Sequence, residues 1–143
     1  MNKGIYTFLA SKGISYTETS NPYDLLLNMD DAEEFLKIAT KEHIAIIGAF
    51  VFEKRSKSRY VISKRTIGLD WSCEYNNENV TDDSYIDRSI KIAENSLSKI
   101  RDIIKERKKQ LFKRNKQLFI NYVFHDKDNQ EQLLSNTFNE IEI

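Results

Sequence analysis

The most regular apolar pattern in the chain lies in its second half. Ile86, Ile90, Ala93, Leu97, Ile100 and Ile104 recur at alternating steps of four and three, in a stretch without Gly or Pro. Leu111 and Leu118 keep the same rhythm, while Arg107 and Arg114 occupy the two intervening positions. Steps averaging about 3.5 residues place such side chains on one narrow stripe of a helix. The pattern predicts a long helix over about 83–117, with Asp82, Asp83 or Ser84 as N-cap and Asp87 in its first turn, where a negative charge suits the helix dipole. At about 1.5 Å per residue it would run to roughly 50 Å, longer than a domain of this size is wide. Such a helix projects, pairs with a second copy, or breaks near Arg114 and Asn115. Two uses of the stripe stay open. One is packing on the chain's own sheet, and the other is self-association as a homodimer through Ile90, Leu97 and Ile104.

Earlier in the chain the periods are shorter. Ile5, Phe8 and Leu9 fit a helix over 3–12 closed by Gly13. Ile14–Thr17 alternates like a strand, and the Ser20-Asn21-Pro22 run breaks it. A helix over about 31–42 buries Ala32, Phe35, Leu36 and Ala39, flanked by Ile38, with Asp30 or Asp31 expected as its cap. Ile44–Phe52 is β-branched and aromatic, and reads as a central strand covered on both faces, with Gly48 marking a bulge or a close backbone approach. Glu53–Arg59 reads as a basic connection into a strand from Arg59 to Ile67, giving an antiparallel hairpin over about 44–67. Leu69–Tyr75 is a third candidate strand. Leu118–Phe124 reads equally as helix or strand, and Gln132–Ile143 as a short helix or a final strand. These elements make a single α+β domain over 1–143: a small antiparallel sheet packed with a short helix and one long one.

Composition changes this picture in one respect. Net charge is zero, so no overall field favours nucleic acid or an acidic surface. The charge is nevertheless sorted into blocks. Residues 17–52, 66–95 and 125–143 are acidic, whereas 53–65 and 96–124 are basic. Blocks of this kind pair within a fold, across a dimer, or with a partner. The single cysteine, Cys73, excludes an internal disulfide and a cysteine-based zinc cage. The N-terminal residues lack the apolar core of a signal peptide, and Ile44–Phe52 is too short to span a bilayer as a helix. The expected location is the cytoplasm, with no membrane partner.

Candidate chemistry is sparse. His43 and His125 are the only histidines; His125 with Asp126 and Asp128, or the Asp30-Asp31 and Glu33-Glu34 pairs, have no recognised metal-ligand spacing and read more simply as a turn and helix caps. A small metal-dependent nuclease would place an acid and a lysine two positions apart at a strand end; Glu53-Lys54 does not, and Glu106-Arg107-Lys108 lies in the long helix. With glycine only at positions 4, 13, 48 and 68, no phosphate-binding or dinucleotide loop can be built. No catalytic residue, metal site or cofactor is predicted, and no motif identifies a family.

The basic blocks are the strongest functional signal. Lys54, Arg55, Lys57 and Arg59 form one candidate contact set; Lys105, Arg107, Lys108, Lys109, Lys113, Arg114 and Lys116 form the other, on the helix segment 99–116. Because Arg107 and Arg114 fall on the apolar stripe, that half of the helix is expected to leave the core. Small size, segregated charge and the lack of a catalytic motif suit a non-enzymatic interaction protein, such as a small inhibitor, immunity or antitoxin-like factor acting on a macromolecular partner. A nucleic-acid-binding module using helix 99–116 is the alternative, since basic side chains on a helix neutralise phosphates. A protein partner is favoured over nucleic acid because the total charge is zero and no recognised nucleic-acid-binding signature is present.

Overall fold

The computed structural model describes residues 3–15, 25–56, 59–62, 80–109 and 118–125. In chain order these form α1 (Lys3–Lys12), β1 (Ile14–Ser15), β2 (Leu25–Leu26), α2 (Met29–Glu42), β3 (Ile46–Ser56), β4 (Arg59–Ile62), α3 (Asp83–Lys109) and β5 (Leu118–Phe124). The class is α+β as the apolar periods require: helices beside an antiparallel β1–β2 pair and an antiparallel β4–β3–β5 sheet. A bridge between Leu27 and Ile120, with reciprocal N–H···O bonds of 2.8 Å, ties the pair to β5.

β3 is the central strand. Its register against β5 slips between Ile46 and Gly48, so Gly48 does mark a bulge. A Cβ at Gly48 would meet nothing within 4 Å, so the bulge and not a close approach accounts for it. The basic connection expected over Glu53–Arg59 is instead mostly strand. β3 runs on to Ser56, with Glu53 opposite Val61 on one side and Leu118 on the other, and β4 starts at Arg59. Glu53 is buried there. Strands flank Glu53 on both sides and β4 alone continues along Lys54 and Ser56, and this pairing overrides their low strand propensity.

Leu118–Phe124 resolves as strand. All seven residues are buried, and the segment pairs with β3 from Ile46 to Glu53. Leu118 therefore belongs to the sheet and not to the helical stripe. Pairing across the sheet puts Leu118, Ile120 and Tyr122 on the face of Val51 and Ala49, in the main core with the helices. The opposite face carries a smaller cluster of Leu26, Phe52, Tyr60 and Phe119, in which Tyr60 meets Phe119 edge to face at 5.4 Å.

α2 buries Ala32, Phe35, Leu36 and Ala39, the four expected positions. Its cap differs from the expectation: Asn28, not Asp30 or Asp31, accepts the Asp31 N–H on Oδ1 at 2.8 Å. A side chain three residues before the N–H it caps must lie outside the helix, which leaves Asp30 and Asp31 in the first turn. At the other end His43 takes a left-handed conformation (φ 54°), the Ile44 N–H reaches Ala39 O at 2.9 Å, and the chain turns into β3.

α3 packs along the sheet through Ile86, Ile90, Ala93, Leu97 and Ile100. Tyr85, Ser89 and Ser96 are buried as well, which widens the narrow stripe to two adjacent rows. The Asp82 carbonyl accepts from the Ile86 N–H, which makes Asp82 the N-cap. Ser89 Oγ accepts the Ile46 N–H at 3.0 Å and donates to Ile86 O, which fixes the start of α3 against the start of β3. α1 covers the same core through Ile5 and Leu9. Its Ile5 N–H donates to Glu42 Oε1 at 3.0 Å, so the last residue of α2 caps the first turn of α1. At Gly13 an added Cβ would lie 2.5 Å from Leu9 O and 2.7 Å from Leu25 Cβ, so only glycine lets the chain turn there against β2. Residues 110–117, the rest of the strand expected to Ile67, and the elements expected over Leu69–Tyr75 and Gln132–Ile143 lie outside the described residues.

Candidate interaction surface

The two basic blocks, far apart in sequence, are carried toward one end of the sheet. α2 starts two residues after Leu27, level with Ile120 and Val51, and its C-terminus leads into Ile46. α3 starts where α2 ends, because Ser89 is bonded to Ile46, and it runs back antiparallel to α2 until Arg101 meets the first turn of α2. From Arg101 to Lys109 the helix advances about 12 Å further. From Val51 to Arg55 the strand advances about 13 Å in the same sense. Lys105–Lys109 of α3 therefore come level with the β3–β4 hairpin at one pole of the sheet, with Lys54 and Tyr60 on the face turned away from α3.

Arg101 shows how part of the charge is used. Its Nη2 donates to Glu33 Oε2 at 3.0 Å, Asp30 Oδ1 at 3.2 Å and Met29 O at 3.3 Å. One cation of the second basic block is thus absorbed by the acidic block at the start of α2. Lys54, Arg59 and Lys105 make no ion pair among the described residues. Arg59 and Lys105 are exposed; Lys54 is half-buried, with Nζ 5.9 Å from the centre of the Tyr60 ring. Arg55 lies on β3, and Arg107, Lys108 and Lys109 on the last turn of α3. Lys57, Lys113, Arg114 and Lys116 lie outside the described residues. The three residues offered for self-association sit elsewhere: Ile90 and Leu97 are buried in the chain's own core, and Ile104 packs against it half-exposed.

The other candidate groups do not assemble. Among the described residues no group of three His, Cys, Asp or Glu side chains could hold a metal ion. His43 is exposed at the end of α2, and His125 donates its backbone N–H to Ala45 O at 3.0 Å, so both histidines lie at the pole opposite the basic one. Asp126, Asp128 and Cys73 lie outside the described residues. No helix among the described residues is long and apolar enough to cross a membrane. Tyr122 is buried, stacks on Phe35 at 4.9 Å and 14°, and is held protonated well above the ordinary phenol range by burial and, secondarily, by the charge of Glu94. It is a core residue, not an acid or base at a site.

Two features of this surface escaped the sequence. The pairing of Arg101 with α2 was hidden because it spans about seventy positions of chain. Buried Glu53 was hidden because a charge at the end of an apolar run reads as the end of the strand. The apolar side chain of Leu118 opposite it was the available signal that pairing continues.

No curated protein and no solved structure matches the chain. Among protein-family models, that described as immunity protein 40 matches residues 16–131, a span that takes in β2 to β5, both basic blocks and the acidic start of α2. The chain therefore belongs to the immunity protein 40 family and is an immunity-type, inhibitor-class protein.

Proposed function

We propose that this chain neutralises a protein toxin by binding it directly, as an inhibitor and not as an enzyme. The observation that carries the reading is the family match over residues 16–131, which covers most of the chain. The architecture supports it. Among the described residues three helices cover one face of the sheet, and charged side chains lie exposed on their outer faces. Such a surface suits recognition of a folded partner through complementary charge and shape.

The test starts from the tagged chain in its native cells. A protein that co-purifies with it after nuclease treatment is expressed alone in a sensitive host, and then together with the chain. Arrested growth in the first case and normal growth in the second is the expected result. A co-purifying protein that is harmless alone, or that stays toxic beside the chain, contradicts the reading.

A further inference from the structure

We infer that the outer faces of α2 and α3 form one self-complementary surface on which a second copy of this chain docks, the two copies related by a two-fold axis. The inference goes beyond the toxin reading and does not depend on it.

The order of charges along the two helices carries it. In a two-fold pair each helix meets its own copy antiparallel, so a residue faces the position reflected through one midpoint. On α3 the exposed residues Lys91 and Asp102 reflect into each other about the point between Ser96 and Leu97. Exposed Asp87 and Lys105 do so about nearly the same point, and so do Arg88 and Glu106. The pairs also match around the helix. At about 100° per residue Lys91 and Asp102 lie within about 20° of each other, Asp87 and Lys105 share one flank, and Arg88 and Glu106 share the other. Between them the outer face carries only the short side chains of Asn95 and Ser98, which let two helices approach.

α2 repeats the pattern at the same height. Its outward stripe is Asp30, Glu34, Lys37 and Lys41, all exposed. Reflection about the point between Phe35 and Leu36 takes Asp30 onto Lys41 and Glu34 onto Lys37. The two midpoints are level. Arg101 meets Asp30 and Glu33 on the antiparallel neighbour, so about five residues back along α3 and about five onward along α2 reach the same height. One axis therefore serves both helices, and every reflected pair joins an acid to a base.

These charges are little used within the chain. Asp87, Lys91, Asp102 and Lys105 make no ion pair among the described residues, although Asp87 and Lys91 stand one helical turn apart. Glu34 and Lys37 pair only weakly, at 3.8 Å. Acids and bases balance across the face, so it offers no net attraction to a phosphate backbone or to a patch of one sign. A copy of itself is the partner that meets each charge with its opposite. The helices are 27 and 14 residues long. At about 1.5 Å per residue and about 10 Å of width each, they present about 600 Å² per copy, at the lower limit of specific interfaces. Held by solvated ion pairs, such a dimer is weak and sensitive to salt.

Sedimentation equilibrium of the full chain up to about 1 mM, at about 20 and 500 mM salt, reads the association directly. A monomer–dimer equilibrium at low salt that weakens about tenfold or more at high salt is expected. Lys91→Glu and Asp102→Lys each set like charges face to face twice in the dimer, and each is expected to weaken it about tenfold. Both changes in one chain restore opposite charges and the dimer. Mixing the two single variants also restores them, since every altered residue then meets an opposite charge, and the mixture is expected to form heterodimers where neither variant pairs with itself. Circular dichroism checks the fold, and Asp87→Lys with Lys105→Asp serves the same scheme if a variant does not fold. A monomer at both salt concentrations, an assembly larger than a dimer, single variants that dimerise like the unaltered chain, or a folded double variant and mixture that do not recover the dimer overturns the inference.

Discussion

At the scale of single residues, two buried groups in the core set the chemistry of folding. Tyr122 stacks on Phe35 between β5 and α2, and burial keeps its hydroxyl protonated far into alkali. Below about pH 10 the folded and unfolded chains both carry this proton, and the group adds no pH slope. Above it the unfolded chain ionises while the folded one does not, so stability falls by up to about 1.4 kcal/mol per pH unit. Chemical denaturation between pH 8 and 11 should show a shallower alkaline loss for Tyr122→Phe than for the unaltered chain. Ser89 illustrates a different constraint. Its hydroxyl satisfies the buried Ile46 N–H across forty-three positions of sequence. Ser89→Ala leaves that donor without its acceptor, and a loss of about 1–3 kcal/mol is expected by urea unfolding. Neither role could be read from the chain alone. Ser89 sits beside an apolar stripe and looks like a polar edge position until β3 is placed against it.

At the scale of elements, periodicity was legible and boundaries were less so. The four inward positions of α2 followed directly from their spacing, because a 3.6-residue period leaves one way to bury Ala32, Phe35, Leu36 and Ala39 together. Its start did not, because Asp30 or Asp31 reads as the cap from sequence, and Asn28 two positions earlier can cap a turn as well. The structure selects Asn28, and Asn28→Ala should therefore cost about 1 kcal/mol of stability in thermal or denaturant unfolding, while Asp31→Ala leaves the cap bond in place. Leu118–Phe124 is the opposite case. Its alternation and its place in the four-and-three rhythm satisfied strand and helix equally, and only a strand with both neighbours could decide. β3 on one side and Leu27 on the other take up its backbone groups, which a helical continuation of α3 would have withdrawn from the sheet. Lys54 and Arg55 were assigned to a connection for a related reason: their strand character comes from β4 and not from their own propensity.

At the scale of the whole molecule, zero net charge conceals an arrangement that the sequence showed only as blocks. Antiparallel packing of α2 and α3 brings the acidic start of one against the basic half of the other, and Arg101 closes that contact. These ion pairs are largely exposed, so each contributes at most about 1 kcal/mol and their main effect is to orient the two helices. The block pattern was thus readable from sequence, and its division between internal pairing and an outward pole was not. That division depends on which residues of α3 come level with α2 and which run past it. Membership of the immunity protein 40 family gives the chain a class of partner, a protein toxin.

Occupancy and catalysis separate most directly in a titration. A fixed amount of the partner toxin is mixed with increasing amounts of the chain, and its remaining activity is followed over time. Stoichiometric binding predicts a linear fall to an end point at a fixed molar ratio, with no further change on longer incubation. Complete loss of toxin activity at a small fraction of an equivalent, deepening with time, would contradict the account and make the chain an enzyme.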